Sequence, residues 1–365
     1  MSFRYIKVKT KGQIEGEKLL VPKLRFKEFN NEYKKYKIGD TLKVKSGKDQ
    51  KLIECINGKY PILGTGGQIG TTNNFLYDKP SVLIGRKGTI NKPQYMTTPF
   101  WTVDTLFYTD IKEEFNTKYI FYAFQNINWK KYDESTGVPS LSCKTIEEIL
   151  YYIPNKDEQD KISTFITLLD KKIELQQRRI EALKIYKRGL IKKIFGDIKD
   201  NDSIRLKDLY HFAYGEGNTN PDNGGIYPVY GANGKIGGFN KYNAEYSVII
   251  GHMGAYAGNV LFEENKHFVT YNGTIAIPKN IKILRPKFGY YMLLNTNLPR
   301  ICAGSGMPFL SYEILNNIKV KLPDIKAQEK CEKILDKTEA KIKLEKRKFK
   351  NLSQLKKSLL QQMFI

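Results

Sequence analysis

The chain has 365 residues, 41% of them hydrophobic and 12% aromatic, enough for two or more domains with proper cores and too apolar for a disordered segment. Lys and Arg outnumber Asp and Glu by 61 to 38, a surplus of +23 that suits a polyanion, nucleic acid or an anionic membrane surface, with a generally lysine-rich composition as the plain alternative. No apolar run approaches the roughly 18 residues that span a bilayer, and Met1 to Lys11 lack an apolar signal core, so neither a membrane span nor a secretory leader is expected.

In chain order, residues 1–37 have no later counterpart. Met1 to Leu20 form a basic lead-in, and Val21 to Phe26 form an arm expected to pack on the first domain. A first globular unit, 38–153, follows, and its parts recur in order. Asp40 to Gly47 (DTLKVKSG) matches Asp208 to Gly215 (DLYHFAYG). Tyr60-Pro61-Ile62-Leu63-Gly64 matches Tyr227-Pro228-Val229-Tyr230-Gly231, each followed by a Gly-rich turn. Ser81 to Gly85 (SVLIG) matches Ser247 to Gly251 (SVIIG). Phe100 to Asp110 and Phe268 to Pro278 alternate like single strands, and Lys118 to Asn128 and Lys287 to Leu298 are amphipathic. Each unit closes with a small-residue loop, Ser135 to Pro139 and Gly304 to Pro308, read as linkage and tight packing, with an approach to nucleic acid as the alternative.

A long helical pattern follows each unit, and the two copies are offset by 169 residues at Pro154/Pro323, Gln159/Gln328 and Phe195/Phe364. Ile162, Ile166, Leu169, Ile173, Gln176, Ile180, Leu183, Lys187, Leu190 and Ile194 step by fours and threes, as a coiled-coil seam does. The second copy places Cys331, Leu335, Thr338, Ile342, Glu345, Phe349, Leu352, Lys356, Leu359 and Met363 at the same steps, with polar interruptions in matching places. A polar seam residue costs stability and fixes register and partner. The organisation is therefore arm 1–37, domain 38–153, helix 154–200, domain 201–322 and helix 323–365. It is a tandem α+β duplication with a period too long for a solenoid. If the helices pack antiparallel, a pseudo-twofold axis relates the two halves.

This order of parts resembles the specificity (S) subunit of Type I restriction–modification systems over essentially the whole chain. The resemblance is carried by Tyr60-Pro61 to Gly64, by Ser81 to Gly88 (SVLIGRKG), and by Ser135-Thr136-Gly137 to Leu141. It continues in Pro154 with Glu158-Gln159 to Ile162, and in the second-half counterparts up to Pro323 and Gln328. Ala327 departs from the glutamate usual there, Cys331 from Ile, and His252-Met253 from the Arg-Lys of the first half. The resemblance implies two target recognition domains, each reading one half of a bipartite, asymmetric site on double-stranded DNA. It also implies helices that set the spacing and dock adenine methyltransferase subunits, two copies of them, with a restriction motor-nuclease subunit joining the core. It implies no catalytic activity for this chain.

The residues agree. The chain carries no N-P-P-Y or D-P-P-Y turn (Asn220-Pro221-Asp222 lacks the second proline and the aromatic residue) and no Walker loop. Gly64 to Gly70 (GTGGQIG) reads as a turn rather than a nucleotide loop, because its twin Gly231 to Gly238 shares only the turn. No cofactor is expected. Cys55, Cys143, Cys302 and Cys331 form no C-x-x-C pair, and His211, His252 and His267 give no metal spacing. A reduced, cytoplasmic protein is expected. The candidate DNA-contacting residues lie in and beside the Gly-rich turns and after the apolar strands: Thr65, Gln68, Asn73, Arg86 and Lys87 in the first unit, Asn233, Lys235, Asn240 and His252 in the second. The outer helix faces (Lys171, Lys172, Arg178, Arg179, Lys192, Lys193; Lys341, Lys343, Lys346, Arg347, Lys348) read either as solvated charge or as a docking surface. Two rival readings are a coiled-coil adaptor that binds proteins but no specific DNA, and a self-sufficient DNA-modifying enzyme.

Overall fold

In the computed structural model of the chain, residues 2–5, 21–198, 203–217, 222–304 and 306–365 are described. Most of the lead-in over 1–20, Asn220-Pro221 and Ser305 lie outside them. The chain divides into two units, Met1–Gln176 with Lys348–Ile365, and Gln177–Arg347, so each contains part of both long helices.

In the first unit the SVLIG run, Ser81–Gly85, is buried at every residue and sits inside an antiparallel four-stranded sheet. Its neighbours are Leu106–Ile111 on one side and Gln94–Met96 on the other, with Leu42–Lys45 beyond the first. Burial on both faces explains why the run is apolar throughout instead of alternating. Its one polar residue is satisfied: Ser81 Oγ donates to the Thr109 carbonyl at 2.7 Å. The helix Thr117–Asn126 lays Tyr119, Ile120, Tyr122, Ala123 and Phe124 into the core, and Asn116 caps it by accepting from the Tyr119 amide at 2.8 Å. A second sheet joins the hairpin Tyr60–Gly64/Gly67–Thr72 to Trp101–Thr102, which runs parallel to the first hairpin strand.

The second unit repeats the plan. Its four-stranded sheet has the order Tyr210–Tyr214, Gly273–Pro278, Ser247–Gly251, Val260–Glu263. Its three-stranded sheet joins Gly234–Phe239, Tyr227–Gly231 and Phe268–Val269. Even the irregularity is shared, a register shift between Ile62 and Leu63 and another between Val229 and Tyr230. The helix Pro286–Thr296 takes the place of Thr117–Asn126.

Each expected single strand over 100–110 and 268–278 is two strands. Trp101–Thr102 belongs to the hairpin sheet and Leu106–Ile111 to the four-stranded sheet. Between them the Val103 amide donates to Leu63 and the Leu106 amide to Val103, which turns the chain from one sheet to the other. Phe100, Leu106 and Tyr108 join one core with Leu63 and Leu83, while Phe107 packs into the other core of the unit, so Leu106–Thr109 is buried on both faces.

The helices Lys156–Gly196 and Ile325–Met363 run for 41 and 39 residues. Every expected seam position on both is buried or half-buried. Within the second unit Lys187 pairs with Glu339, and Arg179 with Glu345 at 3.8 Å, so numbers fall along one helix as they rise along the other: the helices are antiparallel there. Within the first unit Asp170 pairs with Lys356 at 2.6 Å, and Ile162, Ile166 and Leu169 share a core with Leu359, Met363 and Phe364. The pairs Asp170–Lys356 and Glu339–Lys187 are equivalents under the 169-residue offset, so both lysine interruptions of the seam serve register.

The helix starts give the repeated Pro and Gln a physical task. Gln159 accepts from the Asn116 amide at 2.9 Å and donates to the Pro154 carbonyl at 3.0 Å. Gln328 accepts from the Arg285 amide at 3.0 Å and donates to the Pro323 carbonyl at 2.9 Å. In each half one side chain clasps the start of the long helix to the start of the domain helix. Glu158 has a different task. It holds the arm through Arg25, with Nε at 2.8 Å and a second guanidinium nitrogen at 2.7 Å, both side chains buried. Among the described residues no such arm precedes the second unit, and Ala327 stands in the glutamate's place; there Glu332 takes Arg285 at 2.6 Å and the Phe288 amide at 2.8 Å.

Candidate nucleic-acid interface

The Gly-rich stretches are tight β-hairpins. Gly64 pairs with Gly67 and Gly231 with Gly234, leaving Thr65-Gly66 and Ala232-Asn233 as two-residue tips. Gly67 and Gly234 take φ values of 114° and 118°, a conformation that excludes most side chains. No helix N-terminus follows either turn, so neither forms the phosphate cradle that a loop leading into a helix makes. Each tip is pinned to the neighbouring sheet: Gln94 donates to the carbonyls of Gly64 and Thr65, and Asn259 to that of Ala232 at 2.9 Å.

The expected contact residues separate into two groups. Thr65, Gln68, Asn233 and Lys235 lie at or beside the tips, all exposed except the half-buried Thr65. Asn73 and Asn240 follow the far ends of six-residue strands, roughly 20 Å from the tips at about 3.3 Å per residue. There Asn73 Oδ1 accepts from the Lys59 amide at 3.2 Å. The structure therefore does not bring these two asparagines into one cluster with the tip residues.

Arg86-Lys87 and His252-Met253 occupy matching places just after the buried strands. The Arg86 amide donates to Thr105 at 2.8 Å, the Leu141 amide to Arg86 at 2.9 Å, and the Gly88 amide to Pro139 at 2.8 Å. In the second unit the His252 amide donates to Asn272, the Leu310 amide to His252 and the Gly254 amide to Pro308, each at 2.8 Å. In the second unit this segment also touches the tip: a Cβ on Gly251 would lie 3.2 Å from Ala232 Cβ.

The small-residue loops, read from sequence as linkage, are thus laced by main-chain hydrogen bonds to the post-strand segments. Asp133 Oδ1 accepts from the amides of Ser135 and Ser140 and from the Ser135 hydroxyl, at 2.9 to 3.0 Å. The Ser140 and Ser135 amides hold that carboxyl below its usual range. The crests stay open, with Val138 66% and Met307 65% exposed. A rim of post-strand segment and small-residue loop exists in both units.

The side chains on these frames differ. In the first unit Ser46, Arg86, Lys87, Ser140, Ser142 and Cys143 line a cavity of about 290 Å³, with the Arg86 guanidinium 5.8 Å from the Phe107 ring centre. In the second, Tyr214 stacks on Tyr312 at 4.0 Å and meets His252 at 4.3 Å. Sequence reasoning missed Tyr214 and Tyr312, although the pairing of DTLKVKSG with DLYHFAYG sets Ser46 opposite Tyr214. His267 is a core residue: burial lowers its pKa, and it bonds Ser247 at 3.1 Å and the Asn265 carbonyl at 2.7 Å. Among the described residues no group of three or more His, Cys, Asp or Glu is placed to hold a metal, and no helix is long and apolar enough to cross a membrane.

The family model for the Type I restriction modification DNA specificity domain matches residues 30–184 and again 198–354. An open reading frame of Mycoplasma pneumoniae, assigned provisionally as a type I specificity subunit, is 26% identical over 220 residues, covering 56% of this chain and 81% of that protein. The MjaVIII specificity subunit of Methanocaldococcus jannaschii is 21% identical over 403 residues, covering 89% of this chain and 90% of its own length. The crystal structure of a Type I restriction–modification S subunit from M. genitalium superposes with a TM-score of 0.68 at 21% identity, covering 94% of this chain and 99% of that one.

Proposed function

Because this chain belongs to the Type I restriction–modification DNA specificity family, we propose that it gives a methylating and restricting complex its target sequence and does no chemistry itself. Domains 38–153 and 201–322 each read one half of an asymmetric bipartite site on duplex DNA, from the rims and hairpin tips. Thr65, Gln68, Arg86 and Lys87 contact DNA in the first half, and Asn233, Lys235 and His252 in the second. Asn73 and Asn240 meet the phosphate backbone farther along the hairpin edge. The helices 154–200 and 323–365 fix the spacing and dock two methyltransferase subunits that act on adenine. The motor-nuclease subunit joins that core in the cytoplasm.

One observation carries the reading: the same main-chain frame, Gly88 to Pro139 and Gly254 to Pro308, is built twice and furnished with different side chains. A two-headed reader of an asymmetric site needs that combination. The docking role is supported by a groove of about 1020 Å³ in the second unit, where Arg188, Lys192, Lys343 and Lys346 stand beside the ion pairs Lys184–Glu181 and Lys187–Glu339.

The test is co-expression with the methyltransferase encoded beside this chain, in a host without DNA methylation, followed by modification-sensitive sequencing. A single bipartite motif, methylated at adenine on both strands, is the expected result. Exchanging residues 201–322 for another such domain should then change one half of the motif. A stable complex that leaves no mark, or a mark without a bipartite motif, overturns the reading.

A further inference from the structure

His252 and Arg86 leave equivalent points of the two rims, yet they offer opposite hydrogen-bonding chemistry. The Arg86 guanidinium carries only donors. His252 Nδ1 lies 3.0 Å from the Leu310 carbonyl, and a carbonyl oxygen only accepts, so Nδ1 carries the hydrogen. The neutral ring then presents Nε2 as a bare acceptor. The ring is held on one side by Tyr214, itself stacked on Tyr312, and its backbone is fixed by the Asn272 and Leu310 bonds. Nε2 has no hydrogen-bond partner among the described residues, and His252 is half-buried beside the 40% exposed Tyr214.

Resting on the proposed function, we infer that His252 determines specificity in the second half-site, its Nε2 accepting a hydrogen from the exocyclic amino group of an adenine or a cytosine. In the major groove those amino groups are the donors that a bare acceptor selects, whereas guanine and thymine offer acceptors at the corresponding edge. An arginine on the same frame selects guanine, through its O6 and N7. The two rims therefore read with opposite polarity: donors in the first half, an acceptor in the second.

The test uses the intact complex and the methylation readout on three chains, wild type, His252→Asn and His252→Arg. Asparagine keeps a donor toward the Leu310 carbonyl, and its own acceptor, Oδ1, falls a bond short of the place Nε2 holds, so the outer acceptor is withdrawn from the groove. In His252→Asn the wild-type A or C preference at one position of the second half-site should fall about fivefold or more, with the first half-site unchanged. In His252→Arg that position should shift toward guanine. An unchanged motif in either variant overturns the inference. So does a uniform loss of methylation in both, because a purely structural histidine would give that and no change of letter. If the wild-type chain yields no bipartite motif, the proposed function fails instead, and the wild-type arm alone shows it.

Discussion

The Gly88 amide donates to the Pro139 carbonyl at 2.8 Å, across a sequence gap that holds the strand Leu106–Ile111 and the helix Thr117–Asn126. Its counterpart, Gly254 to Pro308, has the same length. These bonds bring a loop after a core strand and a loop before the long helix into one rim. They also explain why the rim's residues lie so far apart in the chain.

Lys87 is exposed on that rim, and Arg86 lies beside it over Phe107. If they neutralise phosphates, Lys87→Ala should weaken DNA binding by the complex about equally for all sequences and reduce the log–log salt slope by about 1. Adding Arg86→Ala should also relax one base position of the first half-site. Fluorescence anisotropy titrations at several salt concentrations measure both effects.

The clasps made by Gln159 and Gln328 predict matched losses of stability. Alanine at either position orphans a backbone amide and a proline carbonyl near the start of a long helix. A cost of about 1–3 kcal/mol is expected for each, read as a lower urea midpoint. Glutamate should restore only the accepting half of the clasp.

Arg25 and Glu158 are both buried and joined by two short hydrogen bonds. Removing one partner should cost about 3–5 kcal/mol, because the other is left as an uncompensated buried charge. Arg25→Met with Glu158→Leu should cost much less than the sum of the single variants. Equal additivity in thermal melts would show that the pair is not coupled.

Lys187 lies between Glu339 and the rings of Tyr290 and Tyr291. Reversing it to glutamate puts like charges together in a partly covered seam and should lower the melting temperature. Lys187→Glu with Glu339→Lys should recover most of the loss, since the pairing is rebuilt with its ends exchanged.

The Asp133 carboxyl is held below its usual range by the amides it accepts. A lowered folded-state pKa means that its contribution is complete above the usual aspartate value of about 3.9 and is lost as pH falls through the lower folded value. Amide exchange at Ser135 and Ser140, corrected for intrinsic rates, should therefore be steady from neutrality down to mild acid and lose protection only in stronger acid. In Asp133→Asn that acid step should vanish.

Much of this architecture is legible in the sequence because duplication and periodicity repeat the same physical statement. Ile162 to Ile194 and Cys331 to Met363 obey one spacing, and every position on both copies is covered. The buried SVLIG and SVIIG runs have no polar alternation to misread. What stays hidden is set by tertiary partners. Nothing in Phe100 to Asp110 shows that the chain leaves one sheet for another after Thr102, since Phe100 before the break and Leu106 and Tyr108 after it enter the same core. The loop Ser135 to Pro139 looks like a linker because its partners are main-chain groups about fifty residues away. Asn73 looks adjacent to Thr65 in the sequence, but an extended strand carries it to the opposite end of the hairpin.

The rim ties join main chain to main chain and ask nothing of the side chains they carry. Point changes at Arg86, Lys87, His252 or Met253 leave both ends of each tie in place, so such a surface tolerates broad drift without loss of its scaffold. Selection on new targets has a ready substrate there: a socket whose shape is inherited and whose letters are free to mutate.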